Sequence, residues 1–135
     1  MPGSLQFSVN IASPIAVYVQ IENQVMFAIA SKRLEAGDRV PPAREMAAML
    51  GVNSNTVVKA YRDLELMGIV QARRGIGVTV TDKAFKIAQS KATQMVMAHL
   101  QEAVNECVAV GLKSAEIRAA VTSALEGGAS PYAEN

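Results

Sequence analysis

The stretch LGVNSNTVVKAYRDLELMG, residues 50–68, constrains the fold more than any other part of the chain. Gly51 and Gly68 bracket a run in which Val57, Ala60, Tyr61 and Leu64 recur at three- and four-residue steps. That is the period of a helix with one buried stripe. Asn53, just ahead of the run, is suited to cap its first free N–H groups. On a helix over 54–67, Asn55, Lys59 and Arg62 fall at i, i+4 and i+7, on a second face that points away from the core. This helix therefore packs on one side and presents an amide, an ammonium and a guanidinium on the other.

The flanks place it in a fold. Ser13-Pro14 reads as a helix start, with Ser as cap and Pro at the first helical position. Tyr18, Ile21, Val25 and Ile29 then recur with helical spacing, and the helix is expected to reach about Leu34, before Gly37. DRVP, residues 38–41, allows only a brief strand. Pro42 opens a second helix with Met46, Ala47 and Leu50 on its apolar face, and Gly51 ends it as a left-handed cap. After Gly68, IVQAR and VTVT alternate as strands around Arg74-Gly75-Ile76-Gly77, a hairpin turn. From Asp82 one long helix is expected to about Val110. Gly111 interrupts it, Ser114 caps a short helix through Leu125, and residues 127–135 form a frayed tail.

The expected fold is mainly α with a small β-hairpin. A winged helix-turn-helix occupies residues 1–81, followed by a two-helix appendage over 82–126. In that fold the outward face of the 54–67 helix suits a DNA major groove. Amides and guanidinium groups pair bidentately with base edges, and Lys neutralises phosphate. Taken alone, small polar residues at a helix start serve capping, and Lys59 and Arg62 serve a solvated face, equally well. The hairpin tips the balance: Arg73-Arg74 put two cations at the tip of a wing, which tracks backbone or enters the minor groove. Arg44 sits in the first turn of the preceding helix, where a cation opposes the helix dipole and a phosphate would be its partner.

Charge and cysteine content bound the remaining options. The net charge is only +1, so no global basic field is present, but residues 32–74 hold eight basic against five acidic residues. A single cysteine, Cys107, excludes an intrachain disulfide and fits a reducing compartment. The start lacks the charged and long apolar segments of a signal peptide, and no run of apolar residues is long enough to span a bilayer. A cytoplasmic location and no membrane partner are expected. Gly75-x-Gly77 lacks the third glycine and the βαβ setting of a dinucleotide site. No Ser/His/Asp set stands out, so no enzyme and no cofactor are expected. His99, Glu102 and Glu106 share a helical face near Cys107, but a lone His without repeated ligand spacing makes a poor metal site.

The appendage carries an apolar excess. Phe85, Ala88, Met95, Val96, Leu100, Val104, Ile117 and Val121 cannot all be covered by two helices, and pairing with a second copy is the direct remedy. These residues are the expected dimer interface.

Over residues 14–80 the chain resembles the N-terminal domain of GntR-type bacterial transcription regulators. Tyr18-x-Gln20-Ile21, Leu34-x-x-Gly37-Asp38, Pro41-x-x-Arg44-Glu45, Asn53-x-Asn55-Thr56-Val57 and Gly75-x-Gly77 occur in the family's order. VNSNTVVKAY and the short helical remainder resemble the YtrA subfamily, in which the C-terminal helices mainly dimerise. The resemblance implies DNA contact by Arg44, Ser54, Asn55, Thr56, Lys59 and the wing around Arg74 and Gly75, and neighbouring ABC-transporter genes. Two positions depart: Pro42 replaces a frequent Ser, and Val58 stands where several larger members carry a base-reading Arg. Their base preferences do not transfer. The expected function is a homodimeric DNA-binding regulator, a repressor on a near-palindromic double-stranded operator, with any effector ligand unknown. The competing readings are a ligand- or metal-sensing module with a secondary DNA role, and a winged helix used for protein contacts.

Overall fold

The computed structural model describes residues 6–128. Seven elements follow in order: α1 (Val17–Ala30), α2 (Ala43–Leu50), α3 (Ser54–Leu66), β1 (Val70–Arg73), β2 (Gly77–Val80), α4 (Ala84–Ala109) and α5 (Ser114–Leu125). The expected tail lies largely outside the described residues.

The chain divides into two compact units, one through Gln94 and one from Met95. The boundary expected at 81/82 lies earlier, because the start of α4 still belongs to the first core: Ala84 and Ala88 are wholly buried in it. The rest of that core comes from Ile21, Val25 and Ile29 of α1, Met46 of α2, Val57, Ala60 and Leu64 of α3, and Ile69, Val70 and Val80 around the hairpin.

Helix α1 starts later than its sequence suggests. The Ser13 hydroxyl accepts the Ile15 N–H at 3.1 Å, a local turn that uses up its capping capacity before the helix begins. Val17 is the first helical residue, behind Ala16, which makes no side-chain cap. The Gln20 side chain instead reaches back to the carbonyls of Asn10 and Ile15 at 3.0 and 2.8 Å. The helix also ends earlier, at Ala30 rather than Leu34. Lys32 adopts a left-handed φ of 63°, and the reversal lets Leu34 enter the core from a loop.

The second turn follows the glycines. Gly51 has φ 68° and caps α2, and the Asn53 side chain accepts the Asn55 N–H at 2.7 Å to start α3. Val57, Ala60, Tyr61 and Leu64 are the buried stripe of α3. β1 and β2 pair antiparallel, from Val70 opposite Val80 to Arg73 opposite Gly77. The DRVP strand reduces to one bridge, Arg39 to Thr79, beside β2.

In the second unit Gly111 turns the chain with φ 93°. Lys113, rather than Ser114, is the cap position of α5, and the Glu116 carboxylate accepts its N–H at 3.1 Å. None of the described residues of this unit is buried.

Candidate nucleic-acid interface

Three ties set the position of α3. The Tyr61 hydroxyl donates to the Pro41 carbonyl at 2.6 Å, joining α3 to the loop before α2. Burial, and then the Glu45 carboxylate, push the ionisation of this phenol upward, so it stays a donor. The Glu65 carboxylate accepts the Ala72 N–H at 3.1 Å, joining α3 to β1. The third tie is to α1, through Lys59.

Asn55 and Arg62 lie exposed on the outward face, as does Ser54 at the helix start, while Thr56 is half-buried. Val58, Arg62 and Glu65 of α3 line a groove between α3 and the hairpin, with Ala72 and Val78 on the hairpin side and Ala43, next to the exposed Arg44, as a further lining residue. The opening of α2, the outward face of α3 and the wing are thus brought to one surface.

Lys59 is directed differently from its sequence expectation. Its ammonium lies 3.7 Å from the Asp63 carboxylate and 4.5 Å from the centre of the Tyr18 ring on α1. Periodicity puts it on the outward face, but a ring on the neighbouring helix and a carboxylate one turn on draw the flexible side chain aside.

The two wing arginines are not equivalent. With its amide turned so that oxygen faces the guanidinium, Gln71 accepts from Arg73 Nε and Nη2 at 3.2 and 3.0 Å. Arg74 is exposed in the turn, where Gly75 has φ 79°. A third cation joins them: the Arg39 guanidinium lies along β2, 3.8 Å from where a Cβ on Gly77 would stand. Sequence reasoning passed over Arg39 because it sits in the loop before α2. The signal that could have found it was the brief DRVP strand, which sets Arg39 opposite Thr79.

Of the expected dimer residues, Ala88 is wholly buried in the first core and has no surface to offer a partner. Phe85, Val96, Leu100 and Val121 are exposed, and Met95, Val104 and Ile117 are half-buried. Among the described residues no three His, Cys, Asp or Glu side chains converge as metal ligands, and no helix is long and apolar enough to cross a membrane.

Helix, turn, helix and paired strands in this order, with cations on α2, α3 and the turn, define a winged helix-turn-helix DNA-binding protein. The family described as "Bacterial regulatory proteins, gntR family" matches residues 17–80. The HTH-type transcriptional regulator YhcF of Bacillus subtilis is 33% identical over 112 residues, which cover 83% of this chain and 92% of YhcF. The HTH-type transcriptional repressor YtrA of the same bacterium is 36% identical over 72 residues, 53% of this chain and 55% of YtrA. A crystal structure of a transcriptional regulator from Oenococcus oeni superposes with a TM-score of 0.66 at 27% identity, covering 87% of this chain and 97% of that one. The chain belongs to the GntR family of transcription regulators, in agreement with the resemblance and with its YtrA-like character. It is a regulator rather than an enzyme.

Proposed function

We propose that this chain is a homodimeric repressor in the cytoplasm that occludes a promoter by binding a near-palindromic operator. Residues 1–81 form the DNA-binding part, and the helical region over 82–126 pairs two copies. The observation that carries the reading is the single groove lined by Ala43 at the opening of α2, Val58 and Arg62 of α3, and Ala72 and Val78 of the hairpin, with Arg44 exposed beside Ala43. Asn55 and Arg62 reach base edges in the major groove. Ser54 and Thr56 bring the start of α3 close to the backbone. Arg44, Lys59, Arg73, Arg74 and the Gly75 turn contact phosphate or minor groove. Repression is supported by the similarity to the transcriptional repressor YtrA, and pairing by the second unit, in which no described residue is buried.

The test is selection of duplexes from a randomised pool by the full chain, followed by titration of Arg62→Ala. Loss of a base contact weakens the selected duplex by about 1–3 kcal/mol and relaxes preference at one position of each half-site. Recovery of no enriched sequence, or an Arg62→Ala variant with unchanged affinity and preference, rejects α3 as the reading helix.

A further inference from the structure

Beneath α3 lies a cluster of charge that no DNA-facing role uses. Glu22 of α1 is 9% exposed, and its Oε2 has no hydrogen-bond partner among the described residues. The carboxyl group of Asp63 on α3 is the neighbour that acts on it, through a hydrogen bond and through its charge. Two carboxyl groups share such a bond only when one carries a proton. Asp63 in turn attracts the Lys59 ammonium at 3.7 Å, and that ammonium lies over the Tyr18 ring. Tyr18 and Glu22 are four residues apart on α1, as Lys59 and Asp63 are on α3, so the four side chains form one patch between the two helices.

We propose that Glu22 is a positioning residue for DNA binding: with the half-buried Asp63 it forms an acid pair that holds Lys59 over Tyr18, and the pair takes up a proton when Lys59 moves to the DNA backbone. The inference rests on the reading above that Lys59 contacts DNA. The groups acting on Glu22 set the sign. Burial, the Asp63 hydrogen bond and the Asp63 charge push it up to about 7, and only Lys59 acts the other way. Both charged groups that bear on it come from α3, while Tyr18, on its own helix, supplies only a ring face to Lys59. When Lys59 leaves for a phosphate, the one influence favouring ionisation goes with it, and nearby phosphates add negative charge. Glu22 then holds its proton more tightly in the complex than in the free protein. By linkage, DNA affinity falls as pH rises through the window that starts near 7.

The experiment measures affinity of the full chain for a duplex it has selected from a randomised pool, at fixed salt, from about pH 6 to about pH 9. Wild-type affinity is expected to fall roughly threefold to tenfold across the window, the span allowed by partial uptake of one proton. Glu22→Gln, whose amide donates to Asp63 as the protonated acid does, should give a flat profile at the tight, low-pH level. His99→Gln should keep the wild-type slope, which separates the cluster from the exposed His99. Lys59→Met should bind more weakly at every pH and lose the slope. A wild-type slope in Glu22→Gln overturns this inference and leaves Lys59 as a DNA contact. Wild-type affinity in Lys59→Met overturns both. A carbon-13 NMR titration of the free protein needs no DNA: Glu22 should titrate near 7 and move upward in Lys59→Met. Titration in the ordinary carboxylate range, or no movement in Lys59→Met, overturns the inference as well.

Discussion

Glu22 shows how one buried acid ties stability to pH. The fold raises it from an ordinary 4.5 to about 7, burial first among the causes. Between those values the native state binds more protons than the unfolded chain, so stability falls as pH rises. The advantage is fully present below the unfolded value and gone above the folded one. The melting temperature of the wild type should therefore decline between about pH 5 and about pH 8. Glu22→Gln should decline less and melt above the wild type at the upper end. Thermal denaturation followed by circular dichroism checks this; parallel profiles for the two proteins would contradict it. The wing divides in a similarly local way. Arg73 is already engaged by Gln71, whereas Arg74 stands exposed in the turn. Arg74→Ala should reduce both DNA affinity and its salt slope more than Arg73→Ala, because an unengaged guanidinium releases more counterion on meeting phosphate. Titrations at two salt concentrations compare them, and an equal or reversed order would show that the Gln71 contact does not restrain Arg73.

At the scale of the element, α3 is defined at its start by one side chain. Asn53→Ala removes the acceptor for the Asn55 N–H and should destabilise the first unit by about 0.5–2 kcal/mol in urea unfolding. A variant as stable as wild type would mean that solvent satisfies that N–H equally well. This cap, the glycines at 51 and 68, and the stripe Val57, Ala60, Tyr61, Leu64 were legible because each is fixed by neighbours a few residues away. The start of α1 was not, since Ser13 and Pro14 carry the same chemistry whether they cap a helix or make a turn before one. Its end was not, because Lys32 takes a left-handed conformation that its residue type does not announce. Periodicity placed Lys59 on a helical face but could not see Tyr18, a partner on another helix. Arg39 became part of the wing surface only through pairing with β2, and Ala88 was set on a dimer face when its small side chain suited the core instead. The misses at Lys59, Arg39 and Ala88 share a cause: each depends on contacts between elements distant in sequence.

The whole molecule is two units of unlike self-sufficiency. Every buried side chain among the described residues, from Ile21 to Ala92, lies in the first unit. The second has none, yet leaves Val96, Leu100 and Val121 at 44%, 45% and 39% exposure, with Met97 and Val108 more exposed still. Burial of apolar surface contributes about 25 cal/mol per Å2, and a helical pair without a core forgoes most of it. A second copy restores that burial on both sides at once. The full chain is therefore expected to be a dimer at micromolar concentration. A chain ending at Gln94 should be monomeric, because it loses the uncovered surface, and should still fold, because it keeps all the buried side chains. It should bind one half-site weakly and lose most of its affinity for a two-half-site operator, where tethering raises the effective concentration of the second reading helix. Half-site centres should lie about 34–36 Å apart, one helical turn, or a multiple of that. Light scattering on both chains, with titration of duplexes of altered half-site spacing, tests each step. A monomeric full chain would remove the second unit from dimerisation. A truncated chain that binds the two-site duplex as tightly would show that pairing contributes nothing to recognition.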